Sequence, residues 1–156
     1  MSLIELQLKS PQATLRLGRK LGALLLPGDF VALEGGLGAG KTQLVRGVAE
    51  GAGAETATSP TFALVHLYRG GRVLLQHLDL YRLSGGPAEL FALGFEDLLA
   101  EPAATLCEWP ERAGPLLPAE RLEIALEVTG PRARKARLTA TGARALQLLG
   151  DLHLER

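Results

Sequence analysis

Phe30-Val-Ala-Leu-Glu-Gly35-Gly-Leu-Gly-Ala-Gly40-Lys-Thr42 is the stretch on which the reading of this chain turns. Its first half, Phe30 to Leu33, is a short continuous apolar run, the pattern of a strand buried on both faces of a parallel sheet. Its second half is G-x-x-x-x-G-K-[ST], the phosphate-binding loop. Gly35 and Gly40 allow backbone conformations that other residues resist. Successive amide N–H groups can then turn inward and form a nest for an anion. A helix follows, from about Lys41 to Gly51, with Leu44, Val45 and Val48 as its apolar stripe. The positive end of its dipole points at the same place. Lys41 adds a mobile charge for β and γ phosphate oxygens, and the Thr42 hydroxyl suits Mg2+. An ordinary glycine-rich turn has no need of Lys-Thr at the helix start. The strand before and the amphipathic helix after supply the context the motif requires. Gly35, Gly38, Ala39, Gly40, Lys41, Thr42 and Gln43 are therefore the expected nucleotide-binding set.

A loop of this kind needs an acid at the end of a neighbouring strand to hold Mg2+, directly or through water. Asp79 ends Val-Leu-Leu-Gln-His-Leu-Asp, and Glu108 ends Ala-Thr-Leu-Cys-Glu. Hydrophobicity favours the first. Its strand, however, reads as half of a hairpin, whereas such cores have parallel central strands joined by crossovers. Glu108 follows a helix, so its strand can run parallel to Phe30–Leu33. Topology thus prefers Glu108 for the metal and leaves Asp79 to position a water or to sense the γ-phosphate. The plainer alternative for either acid is a surface ion pair.

Around this centre the remaining elements fall into place. Leu3 to Leu8 alternates as a strand. Ser10-Pro11 is a helix start, Ser as N-cap and Pro in the first turn. Leu17, Leu21, Leu24 and Leu25 then share one helical face, ended by Pro27-Gly28-Asp29. Glu55 to Thr61 reads as a polar loop. Phe62–Arg69 and Arg72–Leu80 read as two strands turning at Gly70-Gly71. In the second of these, Val73, Leu75, His77 and Asp79 share a face. Pro87 to about Leu99 reads as one helix, and Thr105 to Trp109 as a short strand. Pro110–Pro118 is a loop. Arg121–Val128 and Arg134–Ala140 are strands, and Thr141 to Leu149 is a closing helix. With no repeat and no linker, the expectation is a single domain over 1–156. The expected fold class is α/β, a three-layer P-loop NTPase fold with a mixed parallel and antiparallel sheet.

Composition narrows the function classes. The 156 residues are 47% hydrophobic and 22% charged, as in a globular protein. Seventeen Lys+Arg balance seventeen Asp+Glu. A zero balance argues against tight autonomous binding to nucleic acid, which needs many phosphate contacts. One cysteine, Cys107, excludes a disulfide framework and a multi-thiolate zinc site. The N-terminus lacks a signal-peptide core, and no apolar run approaches the roughly 20 residues of a membrane span. The expected location is cytoplasmic, with no membrane partner.

Four segments occur in order: Leu37-Gly-Ala-Gly-Lys-Thr42, Ser59-Pro-Thr-Phe62, His77-Leu-Asp-Leu-Tyr-Arg-Leu83 and Glu108-Trp-Pro110. Together they closely resemble the TsaE family, small bacterial ATPases of tRNA threonylcarbamoyladenosine biosynthesis. The likeness runs from Gln12 to the C-terminal helix. The phosphate loop is shared by many families, and its combination with Ser-Pro-Thr-Phe and Asp-Leu-Tyr-Arg is far more specific.

The resemblance implies ATP and Mg2+ as cofactors and slow ATP hydrolysis by the isolated protein. It implies action with the TsaB–TsaD complex, which modifies adenosine 37 of tRNAs reading codons that start with A. Contact with tRNA would then be indirect, through that complex. By the same resemblance Thr42 and Glu108 hold Mg2+, Asp79 is needed for ATP turnover, and Ser59 to Thr61 act as a switch. Ser10 and Pro11 lie where the family contacts adenine. One departure stands out: the family usually has Asp after the first loop glycine, and this chain has Gly36. That loss bears on a loop hydrogen bond rather than on phosphate binding.

Other residues carry weaker signals. Thr58, Ser59 and Thr61 are either a switch over the γ-phosphate or a plain polar connection. His77 reads as a half-buried strand residue on Asp79's face. Tyr81 and Arg82 either brace the site or dock a partner, and Trp109 reads as packing or as part of a partner interface. Pro131-Arg-Ala-Arg-Lys-Ala-Arg137 is the only dense basic run, four charges in seven residues. It could hold the nucleotide, with Arg134 the best single candidate, approach tRNA, or guard a strand edge. Cys107 reads as a small buried apolar residue.

The mechanism expected is Mg2+-dependent ATP hydrolysis. In it Lys41, Asp79 and Glu108 are the catalytic residues, and Thr42 and Glu108 the metal ligands. Gly35, Gly38, Ala39, Gly40, Gln43, Ser10, Pro11, Ser59, Thr61 and Arg134 complete the nucleotide site. Two other classes remain open from sequence: a small-molecule or nucleotide kinase with the Arg-rich run as lid, and a nucleotide-sensing module that does not hydrolyse.

Overall fold

Among the described residues eight strands form one sheet in the order β1-β8-β7-β2-β6-β5-β4-β3. They are β1 (Ser2–Leu8), β2 (Phe30–Glu34), β3 (Glu55–Ala57), β4 (Val65–Arg69), β5 (Leu74–Asp79), β6 (Ala103–Glu108), β7 (Arg121–Val128) and β8 (Arg134–Thr141). The structure, a computed structural model, describes residues 2–57 and 64–154. β7, β2, β6 and β5 are mutually parallel, and antiparallel strands flank them on both sides. The mixed sheet expected from sequence is therefore present. β2 lies between β6 and β7 and is fully buried from Phe30 to Leu33, as its unbroken apolar run requires.

Three helices cover one face: α1 (Pro11–Leu24), α2 (Lys41–Ala52) and α5 (Ala143–Asp151). The Ser10 hydroxyl accepts a hydrogen bond from the Ala13 amide at 3.2 Å and caps α1, with Pro11 in the first turn. Leu17 and Leu21 of α1, with Leu25 just past its end, pack with Leu44 and Val48 of α2 and with Leu148 and Leu149 of α5 into one core. Each such buried leucine contributes about 2 kcal/mol. The opposite layer is thinner. It consists of α3 (Gly86–Ala92), α4 (Phe95–Leu99) and two 3-10 turns, Pro110–Arg112 and Gly114–Leu116. Phe95 and Leu90 pack there with Phe30, Leu78 and Cys107 in a second core.

α1 and α2 meet backbone to backbone. A Cβ placed on Gly22 would lie 2.8 Å from the Val48 carbonyl carbon, and one on Gly47 would lie 3.0 Å from the Gly18 Cα. Gly18 and Gly22 on α1, like Gly47 and Gly51 on α2, are four residues apart and so share a helix face. That close approach sets where the N-terminus of α2, and hence the phosphate loop, sits against α1. At the far end of β2, Asp29 is buried and accepts from the Leu26 amide at 2.8 Å. It also takes two hydrogen bonds from the Arg144 guanidinium, each 2.9 Å, which ties α5 to the start of the strand.

Several sequence expectations need correction. Glu55–Ala57, read as loop, pairs with β4 as an edge strand, Glu55 opposite Arg69; three residues give a period-2 pattern nothing to show. The helix expected over 87–99 is two helices, because Gly94 adopts φ +93° between them. Thr141 belongs to β8 rather than to the closing helix, which begins at Ala143 after Gly142 at φ +93°. The strand-edge role offered for the basic run does not hold: β8 is paired on both sides, with β1 and with β7. The hairpin argument against Asp79 also fails. β5 is antiparallel to β4 and at the same time parallel to β6, so its end lies with the other parallel strands.

Candidate phosphate-binding site

The carboxyl ends of β2, β6 and β5 stop level with one another. Leu33 is registered with Glu108, and Glu108 with Asp79. This is the end of a parallel sheet at which ligands bind, because the loops there are free to diverge. From Glu34 the chain enters Gly35–Gly40, and α2 starts at Lys41. Gly38 at φ +81° and Gly40 at φ +104° stand in the left-handed region, which only glycine enters at little cost. The Ala39 amide donates to the Gly36 carbonyl at 3.2 Å, closing the turn. A cleft of about 420 Å³ opens beside it, lined by Gly38 to Gln43 of the loop and by Asp79, Tyr81, Glu108 and Trp109.

Lys41 is only 6% exposed. Its ammonium lies 3.7 Å from Oε1 of Glu108 and 4.4 Å from the centroid of the Trp109 ring. Both contacts suit a cation held in poor solvation. Trp109 takes φ +56° as the chain leaves β6, and Tyr81 packs on its ring at a centroid distance of 5.0 Å. The other carboxylate oxygen of Glu108, Oε2, is 2.6 Å from Nε2 of His77. Burial pushes the Glu108 carboxyl up, but the hydrogen bond from His77 together with the charge of Lys41 outweighs it and holds it below its ordinary value. Glu108 is thus an anion at neutral pH, aimed into a cleft with a cation beside it.

Asp79 is exposed at the cleft, and its Oδ1 accepts from the Tyr81 amide at 3.0 Å. That Asx-type bond turns the chain away from the sheet. Both acids expected from sequence therefore reach the same cleft, Glu108 the deeper and nearer to Lys41. Arg134 has a role that its sequence position does not reveal. Its guanidinium donates to the carbonyls of Ala39 at 3.1 Å and Gly38 at 3.1 Å in the loop. It also donates to Gly130 at 3.1 Å and Ala133 at 2.8 Å in the β7–β8 turn. These bonds tie the loop to the β7–β8 turn and fix the Gly38 and Ala39 carbonyls on the guanidinium. Lys135 and Arg137 pair instead with Glu5 of β1, at 3.4 and 3.0 Å.

Gln43 donates to the Pro11 carbonyl at 3.4 Å, so Ser10 and Pro11 at the start of α1 adjoin the start of α2. Gly35 at φ +151° leaves β2 against Leu126 of β7. Ser59 and Thr61, with Thr58, lie outside the described residues. Cys107 is fully buried and its thiol is pushed up to about 12, first by burial and then by the charge of Glu108; it is no nucleophile. Besides the hold of Arg134 on the loop, two features of the site are not read from sequence, the bond from His77 to Glu108 and the Trp109 ring under Lys41. The parity of His77 with Asp79 was the only available signal for the first. The backbone turn at Trp109 left none for the second.

The chain matches a family model described as threonylcarbamoyl adenosine biosynthesis protein TsaE over residues 8–136. It is 35% identical over 144 residues to the tRNA threonylcarbamoyladenosine biosynthesis protein TsaE of Bacillus subtilis, covering 92% of this chain and 89% of that protein. It is 43% identical over 131 residues to the protein of the same name from Streptomyces coelicolor, covering 81% and 88%. A crystal structure of Bacillus subtilis YdiB superposes with a TM-score of 0.82 at 32% identity, covering 97% of this chain and 94% of that one.

Proposed function

The chain belongs to the TsaE family, and we propose that within it this protein is a Mg2+-dependent ATPase that serves threonylcarbamoylation of tRNA adenosine 37 together with the TsaB–TsaD complex. The observation that carries the proposal is the meeting of Lys41, Glu108 and the glycine turn in one cleft. Lys41 and the loop amides bind the β and γ phosphates, and Arg134 holds the loop in shape for them. Ser10, Pro11 and Gln43, between the starts of α1 and α2, lie toward the base. Ser59 and Thr61 act as a switch over the γ-phosphate, a role carried by family resemblance alone.

The residues present fit a magnesium ion. The Thr42 hydroxyl and the ionised Glu108 carboxylate are hard oxygen donors lining the same cleft. When bound, Mg2+ supplies charge neutralisation on the phosphate oxygens. Asp79, exposed at the mouth, accepts a hydrogen bond from the attacking water and orients it. Among the described residues no helix is long and apolar enough to cross a membrane.

ATP hydrolysis is to be measured for the protein alone, with TsaB–TsaD, and with tRNA added. Slow turnover alone and clear stimulation in the full mixture are expected. Equal rates in all three would refute the coupling to that complex, and no turnover in any would refute the enzyme.

A further inference from the structure

His77 takes no part in the nucleotide contacts proposed above, yet it bonds directly to Glu108. It lies in β5, between β4 and β6. Its ring stands near those of Tyr68 and His66, at centroid distances of 6.4 and 6.1 Å. Its Nδ1 is buried and has no partner among the described residues. A buried imidazole with one nitrogen unsatisfied costs free energy. The hydrogen bond its other nitrogen makes goes to Glu108, at 2.6 Å, with both side chains close to nine-tenths buried. Register explains the reach. His77 stands opposite Leu106 and Asp79 opposite Glu108, so His77 and Glu108 are diagonal neighbours on one face of two parallel strands. Because Nε2 faces a carboxylate oxygen, it carries the proton and donates.

We propose that His77 is a positioning residue: its Nε2–H pins Oε2 of Glu108, so that Oε1, the oxygen approached by Lys41, is presented to the cleft as a ligand for the divalent cation that accompanies the nucleotide. This rests on the metal role given to Glu108 above. A carboxylate free at its Cα–Cβ and Cβ–Cγ bonds must lose rotamer freedom to ligate a metal. A neighbour that has already fixed it removes that cost, which is why outer partners of metal ligands influence affinity. His77 touches neither phosphate nor base, so the effect falls on the cation and not on the nucleotide.

The test is a comparison of ADP binding in EDTA with ADP binding across a Mg2+ titration, followed by calorimetry, for wild type, His77→Leu, His77→Gln, His77→Asn and Glu108→Gln. Gln places an amide N–H near the position of Nε2, and Asn does not reach it. His77→Leu is expected to keep wild-type ADP affinity in EDTA and to raise the Mg2+ half-saturation point by about 10-fold or more. His77→Gln is expected to restore most of that loss, and His77→Asn is not. A purely structural histidine would move both ADP affinities together or neither. An unchanged Mg2+ half-saturation in His77→Leu, with Glu108→Gln impaired, overturns the role of His77 and leaves that of Glu108 standing. An unchanged value in Glu108→Gln overturns both. Should the leucine variant fail to fold, the Gln and Asn variants decide, and equal Mg2+ dependence in the two overturns the proposal.

Discussion

Lys41→Ala is expected to weaken ATP binding by roughly 100-fold or more, on the order of 3 kcal/mol, the scale of charge-assisted hydrogen bonds made in a poorly solvated site. The geometry explains why the loss should be large. The ammonium is buried against Glu108 and the Trp109 ring, so it is already desolvated before any phosphate arrives. Little hydration remains to be lost when it turns to the β and γ oxygens. Trp109 is the only tryptophan, which provides a second readout. Nucleotide should draw Lys41 off the ring and change the emission of the wild type, while the alanine variant should begin with altered emission and respond weakly. Calorimetry that returned wild-type ATP affinity for Lys41→Ala would remove the phosphate-binding role of the loop.

Gly22→Ala and Gly150→Ala should change stability in opposite directions although both replace a helical glycine by the better helix former. At Gly22 the new Cβ would meet the backbone of Val48 and Ala52 across the α1–α2 contact. Backbone atoms cannot turn aside as a side-chain end can. The helices must part, at a net cost of about 2 kcal/mol or more. For a chain of this size that is a fall in melting temperature of roughly 4–8 °C. At Gly150, near the end of α5, nothing lies within 4 Å of the new Cβ, and a gain of about 0.5–1 kcal/mol is expected. Because α2 carries the phosphate loop at its start, Gly22→Ala should also weaken nucleotide binding, whereas Gly150→Ala should not. Thermal melts of the two variants check the signs. A Gly22→Ala protein as stable as wild type would show that the helix contact yields easily.

Much of the site was legible in the sequence because its chemistry is local in the chain. Gly35 to Thr42 are contiguous, so backbone conformation, amide nest and helix start are specified within eight residues. The same holds for the cap at Ser10 and for the buried run of β2. Glu108 was reached by a longer inference, that a strand following a helix can lie parallel to β2, and the register bears it out. Asp79 was placed less well. The hairpin signal weighs against a parallel neighbour for its strand, but a strand has two edges, and β5 uses one for β4 and the other for β6.

Arg134 shows where single-chain reading stops. Its charge and its parity on β8 were plain, but all four of its hydrogen bonds end on backbone carbonyls, two of them in a loop about 95 positions away. Backbone oxygens are the same at every residue, so no sequence pattern announces such a partner. Spacing also left His77 an ordinary strand histidine, because its partner sits on a neighbouring strand. The amino-acid sequence by itself determined the phosphate loop, the strand and helix that flank it and the mixed α/β architecture, since these follow from interactions among residues near in the chain. Only the tertiary structure decided which partners meet at the loop from afar, namely His77 behind Glu108, Trp109 beneath Lys41 and the loop carbonyls under Arg134. Strand order and register bring those groups together, and both are set by how the whole sheet and its helices pack.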